Sequence, residues 1–313
     1  MAVGRDSLIN AISSFLKDHD PSTLAAVRDS LGRAIDDAGL DALVRLNERL
    51  GDGGVDWAYC PLDPLARRIH HVLADSLLHR DSAVFGIENA TVVAGQSVVI
   101  LANHLSYSDA NLLEILLQRF GGSALADRLT VMAGPKVYSS LKRRFSSLAF
   151  GTIRTPQNSA VSTEDAVMNP RDVARAARLS IDVAHERLGK GDALLVFGEG
   201  TRSRTRGMQP LLPGVSRYID GPDTWVLPVG ITGTEELFPV DEDALHSVPI
   251  VVRLGRPFSG QRLHDRANGD RRLMMDVVGL AIAEALPPEY RGCYGGDTMD
   301  LKEARRLLNG LFD

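Results

Sequence analysis

The pattern of apolar and polar positions changes at about residue 80 of this 313-residue chain. Beyond that point, short apolar runs rich in valine and isoleucine alternate with stretches of helical periodicity. The runs predict strands at 97–102, 129–133, 193–197, 225–231 and 249–254, and the periodic stretches predict helices at 110–120, 138–148, 171–188, 273–286 and 301–311. This alternation predicts an α/β domain over residues 81–313, with a mixed, partly parallel sheet flanked by helices.

Residues 1–80 have a purely helical pattern. Leu8, Ile9 and Ile12 are spaced like one face of a helix, and further helical stretches follow at 23–38, 41–50 and 65–78. We therefore expect a small N-terminal helical domain that caps the α/β domain. A substrate gate or a membrane-docking surface is the alternative interpretation. The polar stretch 155–169 is expected to be an exposed loop.

One histidine occupies a position that favours chemistry. An apolar run ends just before His104, and a leucine-rich helix begins five residues later at Asp109, with Ser106 or Ser108 as a plausible N-cap. The helix dipole favours a carboxylate in this first turn, from which Asp109 can return to one imidazole nitrogen. The other nitrogen would face a cleft and could act as a general base near neutral pH. The alternative is a structural histidine.

A second histidine–aspartate pair has the same five-residue spacing, but its context does not favour a catalytic role. His70 and Asp75 are five residues apart within a segment of continuous helical periodicity. Five helical residues turn through roughly 140°, so these two side chains should point to different faces. His104 differs because a strand precedes it, and the strand ends of open α/β sheets are favoured ligand sites.

A second candidate site follows the apolar run 193–197. The segment 198–207 contains two closely spaced glycines, which allow a tight turn, and the hydroxyl and guanidinium groups of Thr201 and Arg202. Such groups are suited to binding an anion. Arg204 and Arg206 are expected to be solvated.

Two other enzyme classes fit this sequence poorly. Gly198, Gly200 and Ser203 nearly reproduce a dinucleotide-binding fingerprint, but the last glycine is missing and the proline-containing segment 208–213 cannot open a regular helix. No Gly-x-Ser-x-Gly sequence occurs, which argues against a serine hydrolase of the α/β class.

The composition is that of a soluble globular protein. Hydrophobic residues make up 44% and charged residues 24%, and the net charge of −5 does not suggest a nucleic-acid partner. The two cysteines, Cys60 and Cys293, have no partners at metal-binding spacing, so we expect neither a metal site nor a disulfide framework. No signal peptide or membrane span is expected, and a cytoplasmic location fits.

Four ordered blocks of this sequence resemble those of the glycerolipid acyltransferase family, which includes glycerol-3-phosphate and lysophosphatidate acyltransferases. The blocks are Asn103-His104 with Asp109, Gly151-Thr152-Ile153-Arg154, Phe197-Gly198-Glu199-Gly200-Thr201-Arg202-Ser203, and Val226-Leu227-Pro228-Val229-Gly230-Ile231. Pro213-Gly214-Val215 is similar to a Pro-Gly-Ala that trails the third block in the family. The resemblance covers about residues 84–292, and Gly198 departs from the proline that is usual there.

The resemblance implies a role for each candidate residue. His104 would take the proton from an acceptor hydroxyl, and Asp109 would fix its tautomer and stabilise the imidazolium. The hydroxyl would attack an acyl thioester directly, without an acyl-enzyme and without a cofactor. Gly200, Thr201 and Arg202 would hold the acceptor's phosphate, and Glu199 would anchor their turn. Two further candidates for phosphate binding are Lys136 and Arg154.

The resemblance thus implies an O-acyltransferase that moves a fatty acyl group from acyl-CoA or acyl carrier protein to glycerol 3-phosphate or a lysophospholipid. A non-catalytic lipid- or carrier-binding protein of the same fold and an acyl hydrolase are the alternatives, and the altered third block motivates the first of them. Lys142, Arg143 and Arg144 could touch anionic lipid at the inner membrane face, although a solvated helix face is the commoner explanation.

Overall fold

A computed structural model describes residues 4–16, 19–51, 58–138, 140–156, 170–221, 223–237, 245–296 and 299–313. The helices are α1 (Arg5–Ser13), α2 (Pro21–Ala38), α3 (Leu40–Gly51), α4 (Pro64–Leu77), α5 (Glu88–Val92), α6 (Asp109–Arg119), α7 (Ser123–Ala126), α8 (Pro135–Tyr138), α9 (Leu141–Ser147), α10 (Pro170–Gly189), α11 (Thr234–Leu237), α12 (Gly260–Arg266), α13 (Arg271–Glu284) and α14 (Met299–Gly310). Short 3-10 helices cover Ser14–Leu16, Pro213–Tyr218, Pro288–Tyr290 and Gly292–Tyr294.

A single mixed sheet crosses the described part of the chain. Its strands are β1 (Tyr59–Cys60), β2 (Ala83–Phe85), β3 (Val98–Ala102), β4 (Leu129–Ala133), β5 (Gly151–Arg154), β6 (Ala193–Phe197), β7 (Trp225–Thr232), β8 (Val251–Leu254) and β9 (Phe258–Ser259). The order is β1-β5-β4-β6-β3-β7-β8-β2, and β9 pairs with β7. The five strands from β5 to β7 are mutually parallel. β1 pairs antiparallel with β5, β8 and β9 pair antiparallel with β7, and β2 pairs parallel with β8. The predicted mixed, partly parallel sheet is confirmed.

Helices cover both faces of the parallel strands. Along β3, Val99 and Leu101 point into the core shared with α10, α13 and α14, whereas Val98 and Ile100 point into the core shared with α6 and α7. Burial on both faces explains why these strands are continuous apolar runs rather than alternating ones.

The N-terminal helices have a hydrophobic core of their own. Leu31, Leu46 and Ile69 of α2, α3 and α4 are completely or almost completely buried together. This core also includes Leu148, which follows α9. Aspartates cap two of the helices: Asp20 and Asp63 each precede a proline and accept two backbone N–H groups of the first turn.

The structure corrects several local predictions. Residues 1–80 are not purely helical, because β1 at 59–60 pairs with β5 and joins the sheet. The helix predicted at 138–148 begins later, as α9 at Leu141, because Tyr138 ends the separate short helix α8. Ser108 stands at the N-cap of α6 but its side chain makes no capping hydrogen bond. The loop predicted at 155–169 lies mostly outside the described residues, and the domain boundary at residue 80 stays a prediction.

The parallel strands determine where the candidate residues meet. All five end at the same edge of the sheet, so the segments after β3, β4, β6 and β7 emerge side by side. The order β6-β3-β7 places β3 between the other two, with Ala102 in register with both Phe197 and Val229. His104 therefore lies between the turn after β6 and the segment after β7, at the edge where open α/β sheets bind ligands.

Candidate active site

The His104 imidazole contacts the Asp109 carboxylate directly. Nδ1 of His104 lies 2.8 Å from Oδ2 of Asp109, the contact that the sequence predicted. A carboxylate only accepts hydrogen bonds, so Nδ1 carries the hydrogen and Nε2 carries the free lone pair. Among the described residues Nε2 has no hydrogen-bond partner, and the His104 side chain is 16% exposed. The atom suited to accept a proton is therefore the one that no described residue occupies.

The buried Asp109 carboxylate is held by three further donors. Oδ2 accepts the backbone N–H groups of Leu105 (2.7 Å) and Ser106 (3.0 Å), and Oδ1 accepts the hydroxyl of Thr234. Both Asp109 and Thr234 are fully buried. This network fixes the carboxylate and, through it, the orientation of the imidazole.

Two neighbours hold the backbone and the ring of His104. The fully buried Asn103 side chain donates to the carbonyl of Ile231 (2.9 Å) and accepts its N–H (2.8 Å), so that it continues the β3–β7 pairing past the strand end. Phe197 at the end of β6 stacks on the imidazole, with ring centroids 4.2 Å apart and 19° between the planes. The ring therefore has an apolar wall on one face.

Glu199 joins the turn after β6 to the histidine segment. Its Oε1 accepts the backbone N–H of His104 at 2.9 Å, and its Oε2 accepts that of Gln209 at 2.7 Å. In addition, the N–H of Ser203 donates to the carbonyl of His104 at 2.8 Å. Glu199 thus bridges the backbone of His104 and the backbone of Gln209, and its anchoring role in the turn stays a prediction.

Burial sets the protonation of Glu199. Removal from water raises the pKa of its carboxyl to about 7, with a smaller contribution from the nearby charge of Asp109. The two N–H donors oppose this shift because they favour the carboxylate. Glu199 therefore changes its charge near neutral pH.

The turn at 200–202 presents its guanidinium on the same side as the histidine segment. Gly200 has a φ of +70°, which favours glycine, and a Cβ there would lie 2.5 Å from a methyl carbon of Leu212, whose side chain would have to move. Thr201 is exposed. The guanidinium carbon of Arg202 lies 3.9 Å from the ring centroid of Tyr107, which stands between His104 and Asp109 in sequence. The histidine and arginine segments are therefore brought together.

Lys136 and Arg154 lie at the same edge but farther from His104. β5, which ends at Arg154, is three strands from β3, or about 14 Å at the usual strand spacing. The Arg154 guanidinium faces the ring of Tyr138 at 5.4 Å. The Lys136 carbonyl accepts a hydrogen bond from Arg143 at 3.2 Å. The structure thus places both on the β6 side of the site and gives neither a contact with His104.

The second histidine–aspartate pair differs as predicted. His70 Nδ1 lies 2.8 Å from the carbonyl of Ala66 within α4, and Asp75 pairs instead with Arg119 at 2.5 Å. The spacing alone therefore does not bring the two side chains together.

Sequence reasoning missed the contributions of Thr234, Phe197 and Gln209 to this site. Thr234 follows β7 and Phe197 ends β6, so each lies at a strand end. That position was a usable signal, but the strands flanking β3 were unknown from the sequence. Gln209 contributes a backbone N–H, which carries no side-chain signal.

Other features of the described residues do not compete with this site. No group of three or more histidine, cysteine or acidic side chains there could hold a metal ion. Two clefts of about 390 and 310 Å³ lie elsewhere and contain none of the candidate residues. Of the helices described, none combines the length and the apolar character that crossing a membrane requires.

The site combines a buried carboxylate, an imidazole that this carboxylate orients, and a neighbouring turn that carries an arginine. This arrangement is suited to general-base chemistry on an anionic substrate. Residues 83–232 match the model of the family described as Acyltransferase. This part of the chain is an acyltransferase domain, which confirms the resemblance to glycerolipid acyltransferases, and the protein is an O-acyltransferase.

Comparison with individual proteins adds little to this assignment. No curated protein matches the sequence. The crystal structure of the 1-acyl-sn-glycerophosphate (LPA) acyltransferase of Thermotoga maritima is similar over 90% of this chain and 97% of its own, with 18% identity and a TM-score of 0.46. The family assignment rests on the match over residues 83–232.

Proposed function

We propose that this protein transfers a fatty acyl group from the thioester of CoA or of acyl carrier protein to a hydroxyl of glycerol 3-phosphate or a lysophospholipid. His104 Nε2 removes the proton of the acceptor hydroxyl, and the hydroxyl oxygen attacks the thioester carbonyl carbon. The C–S bond then breaks, and the departing thiolate takes the proton from the imidazolium. The observation that carries the proposal is the His104–Asp109 contact at the carboxyl edge of the sheet, with Nε2 left to the substrate.

The remaining candidates supply binding. The turn at Gly200, Thr201 and Arg202 holds the phosphate of the acceptor, since backbone N–H groups, a hydroxyl and a guanidinium all donate to phosphate oxygens. Lys136 and Arg154 add positive charge on the same side. The acceptor hydroxyl is thereby directed toward His104. Location in the cytoplasm and peripheral contact with the inner membrane face are part of this proposal, because a lysophospholipid acceptor resides in a membrane.

The test measures ester formation by the purified full chain. Acyl-CoA or acyl carrier protein is supplied with glycerol 3-phosphate or lysophosphatidate, and the acylated product is measured by mass spectrometry. A positioned general base contributes 10²- to 10⁴-fold, so His104→Gln should lower the rate by at least about 100-fold. His70→Gln is the matched control and should retain most of the activity.

Three results would contradict the proposal. Equal rates for the wild type and His104→Gln would remove the proposed base. Free fatty acid formed at a rate independent of any acceptor would indicate an acyl hydrolase. Binding of donor and acceptor with no His104-dependent product would indicate a non-catalytic binding protein.

A further inference from the structure

A second arginine faces the same tyrosine as Arg202. The guanidinium carbon of Arg143, on α9, lies 4.0 Å from the ring centroid of Tyr107, and that of Arg202 lies 3.9 Å from it. Two planar groups cannot occupy one face of a ring at this distance, so the guanidinium groups lie on opposite faces. Because both distances are measured to the same centroid, the two guanidinium carbons are no more than about 8 Å apart, the sum of the two distances.

Neither guanidinium is neutralised within the described part of the chain. Arg143 donates only to the backbone carbonyl of Lys136, at 3.2 Å, and no carboxylate pairs with Arg143 or Arg202. Most other arginines in the described part of the chain that contact side chains do have a carboxylate partner. Examples are Arg67 with Glu114 and Arg187 with Asp192. Two unneutralised positive charges beside one aromatic ring attract an anion with two negative charges.

The position of Tyr107 connects this pair of charges to the chemistry. Tyr107 lies in the turn between His104 and Asp109, whose side chains contact each other at 2.8 Å. An anion at the edge of its ring would therefore lie close to the reacting hydroxyl. Arg143 reaches this place from α9, a helix outside the four sequence blocks that resemble the family.

We propose that Arg143 is a determinant of acceptor specificity. Together with Arg202 it recognises the phosphate of the acceptor, and Tyr107 is a positioning residue that fixes the separation of the two guanidinium groups. This inference rests on the proposed function. It adds that a phosphomonoester, which carries nearly two negative charges, is preferred over an uncharged acceptor because two cations face it.

The experiment measures acceptor preference within each enzyme. The ratio of kcat/KM for lysophosphatidate to that for monoacylglycerol, and the ratio for glycerol 3-phosphate to that for glycerol, are determined at saturating thioester donor. Arg143→Gln should lower these ratios 10- to 100-fold, mainly through KM of the phosphate-bearing acceptor, because a charge-assisted contact is lost. Arg143→Lys should restore part of the preference. Ratios measured in one preparation are insensitive to partial loss of folded enzyme.

The adjacent Lys142 provides the matched control, since Lys142→Gln removes the same charge from an exposed position of the same helix that faces Phe15 rather than Tyr107. Its ratios should equal those of the wild type. Tyr107→Phe should also keep the preference, because both ring faces remain, whereas Tyr107→Ala should lower it.

The outcomes separate the two proposals. Ratios unchanged by Arg143→Gln, with His104-dependent transfer intact, would overturn the role of Arg143 alone. An equal fall of these ratios with Lys142→Gln would overturn it as well. The effect would then come from the net positive charge of the protein and not from the position of Arg143. No His104-dependent transfer to any acceptor would overturn the proposed function and the specificity inference with it.

Discussion

Replacing Glu199 by glutamine tests the link between the two segments of the site. Both carboxylate oxygens accept backbone N–H groups, from His104 and from Gln209. At pH 5 the folded wild type holds Glu199 as the neutral acid, whose two oxygens each keep a lone pair for an N–H group. Glutamine keeps one acceptor oxygen but turns an NH₂ group toward the other N–H, which leaves a buried donor without a partner. Such a loss costs about 1 to 3 kcal/mol, so we expect Glu199→Gln to be less stable than the wild type by about that much at pH 5.

The difference should depend on pH in a defined direction. Folding raises the pKa of the Glu199 carboxyl from its ordinary 4.5 to about 7, because burial penalises the charged form. The folded state therefore binds more protons than the unfolded state between these values, and the stability of the wild type falls as the pH rises through them. The loss between pH 5 and pH 8 is about 2 to 3 kcal/mol, and Glu199→Gln does not share it.

Urea unfolding at pH 5 and pH 8, followed by circular dichroism, measures both effects. The wild type should lose its advantage over Glu199→Gln between the two pH values, and the order of stability should approach equality or reverse. The control is Glu48→Gln, the same chemical change at an exposed position of α3, which should show no such trend. A stability gap that stays constant or widens with pH would refute the reasoning.

Two further substitutions address the network around His104. Thr234→Val removes the hydroxyl that donates to the buried Asp109 carboxylate; a hydrogen bond to a charged group is worth about 1.5 to 3 kcal/mol, so kcat should fall about 10- to 100-fold, and Thr234→Ser should recover most of it. Equal kcat values for the valine and serine variants would show that this donor has no role. Asn103→Ala removes both hydrogen bonds to Ile231 and should lower the free energy of unfolding by about 3 kcal/mol in urea titrations. Asn111→Ala, which loses one bond to the carbonyl of Ser146, should cost less, and the opposite order would contradict the assignment.

Much of the sheet could be predicted from the chain because the parallel strands are buried on both faces. The runs that became β3, β4, β6 and β7 are continuous and apolar, and the structure confirms each with small changes of boundary. The short strands β1, β2, β5 and β9 were not predicted. They have two to four residues, too few to show a period.

The candidate site was predicted where local sequence determines geometry. His104 and Asp109 are joined by a strand end, a turn and a helix start, so five residues of chain suffice to bring the side chains together. The contacts of Glu199 with His104, and of Thr234 with Asp109, span about 95 and 125 residues. A local sequence pattern cannot predict contacts between residues so far apart in the chain.

The sequence alone therefore determined the strand runs, the histidine–aspartate pair and the glycine-rich turn, because each depends on residues that are neighbours in the chain. Only the tertiary structure decided that β3 lies between β6 and β7, and this order is what brings Glu199, Phe197 and Thr234 to His104. It also decided that Arg143 meets Arg202 across Tyr107. The physical reason is that strand order and helix packing depend on how the whole apolar surface is buried, which is a property of the complete chain.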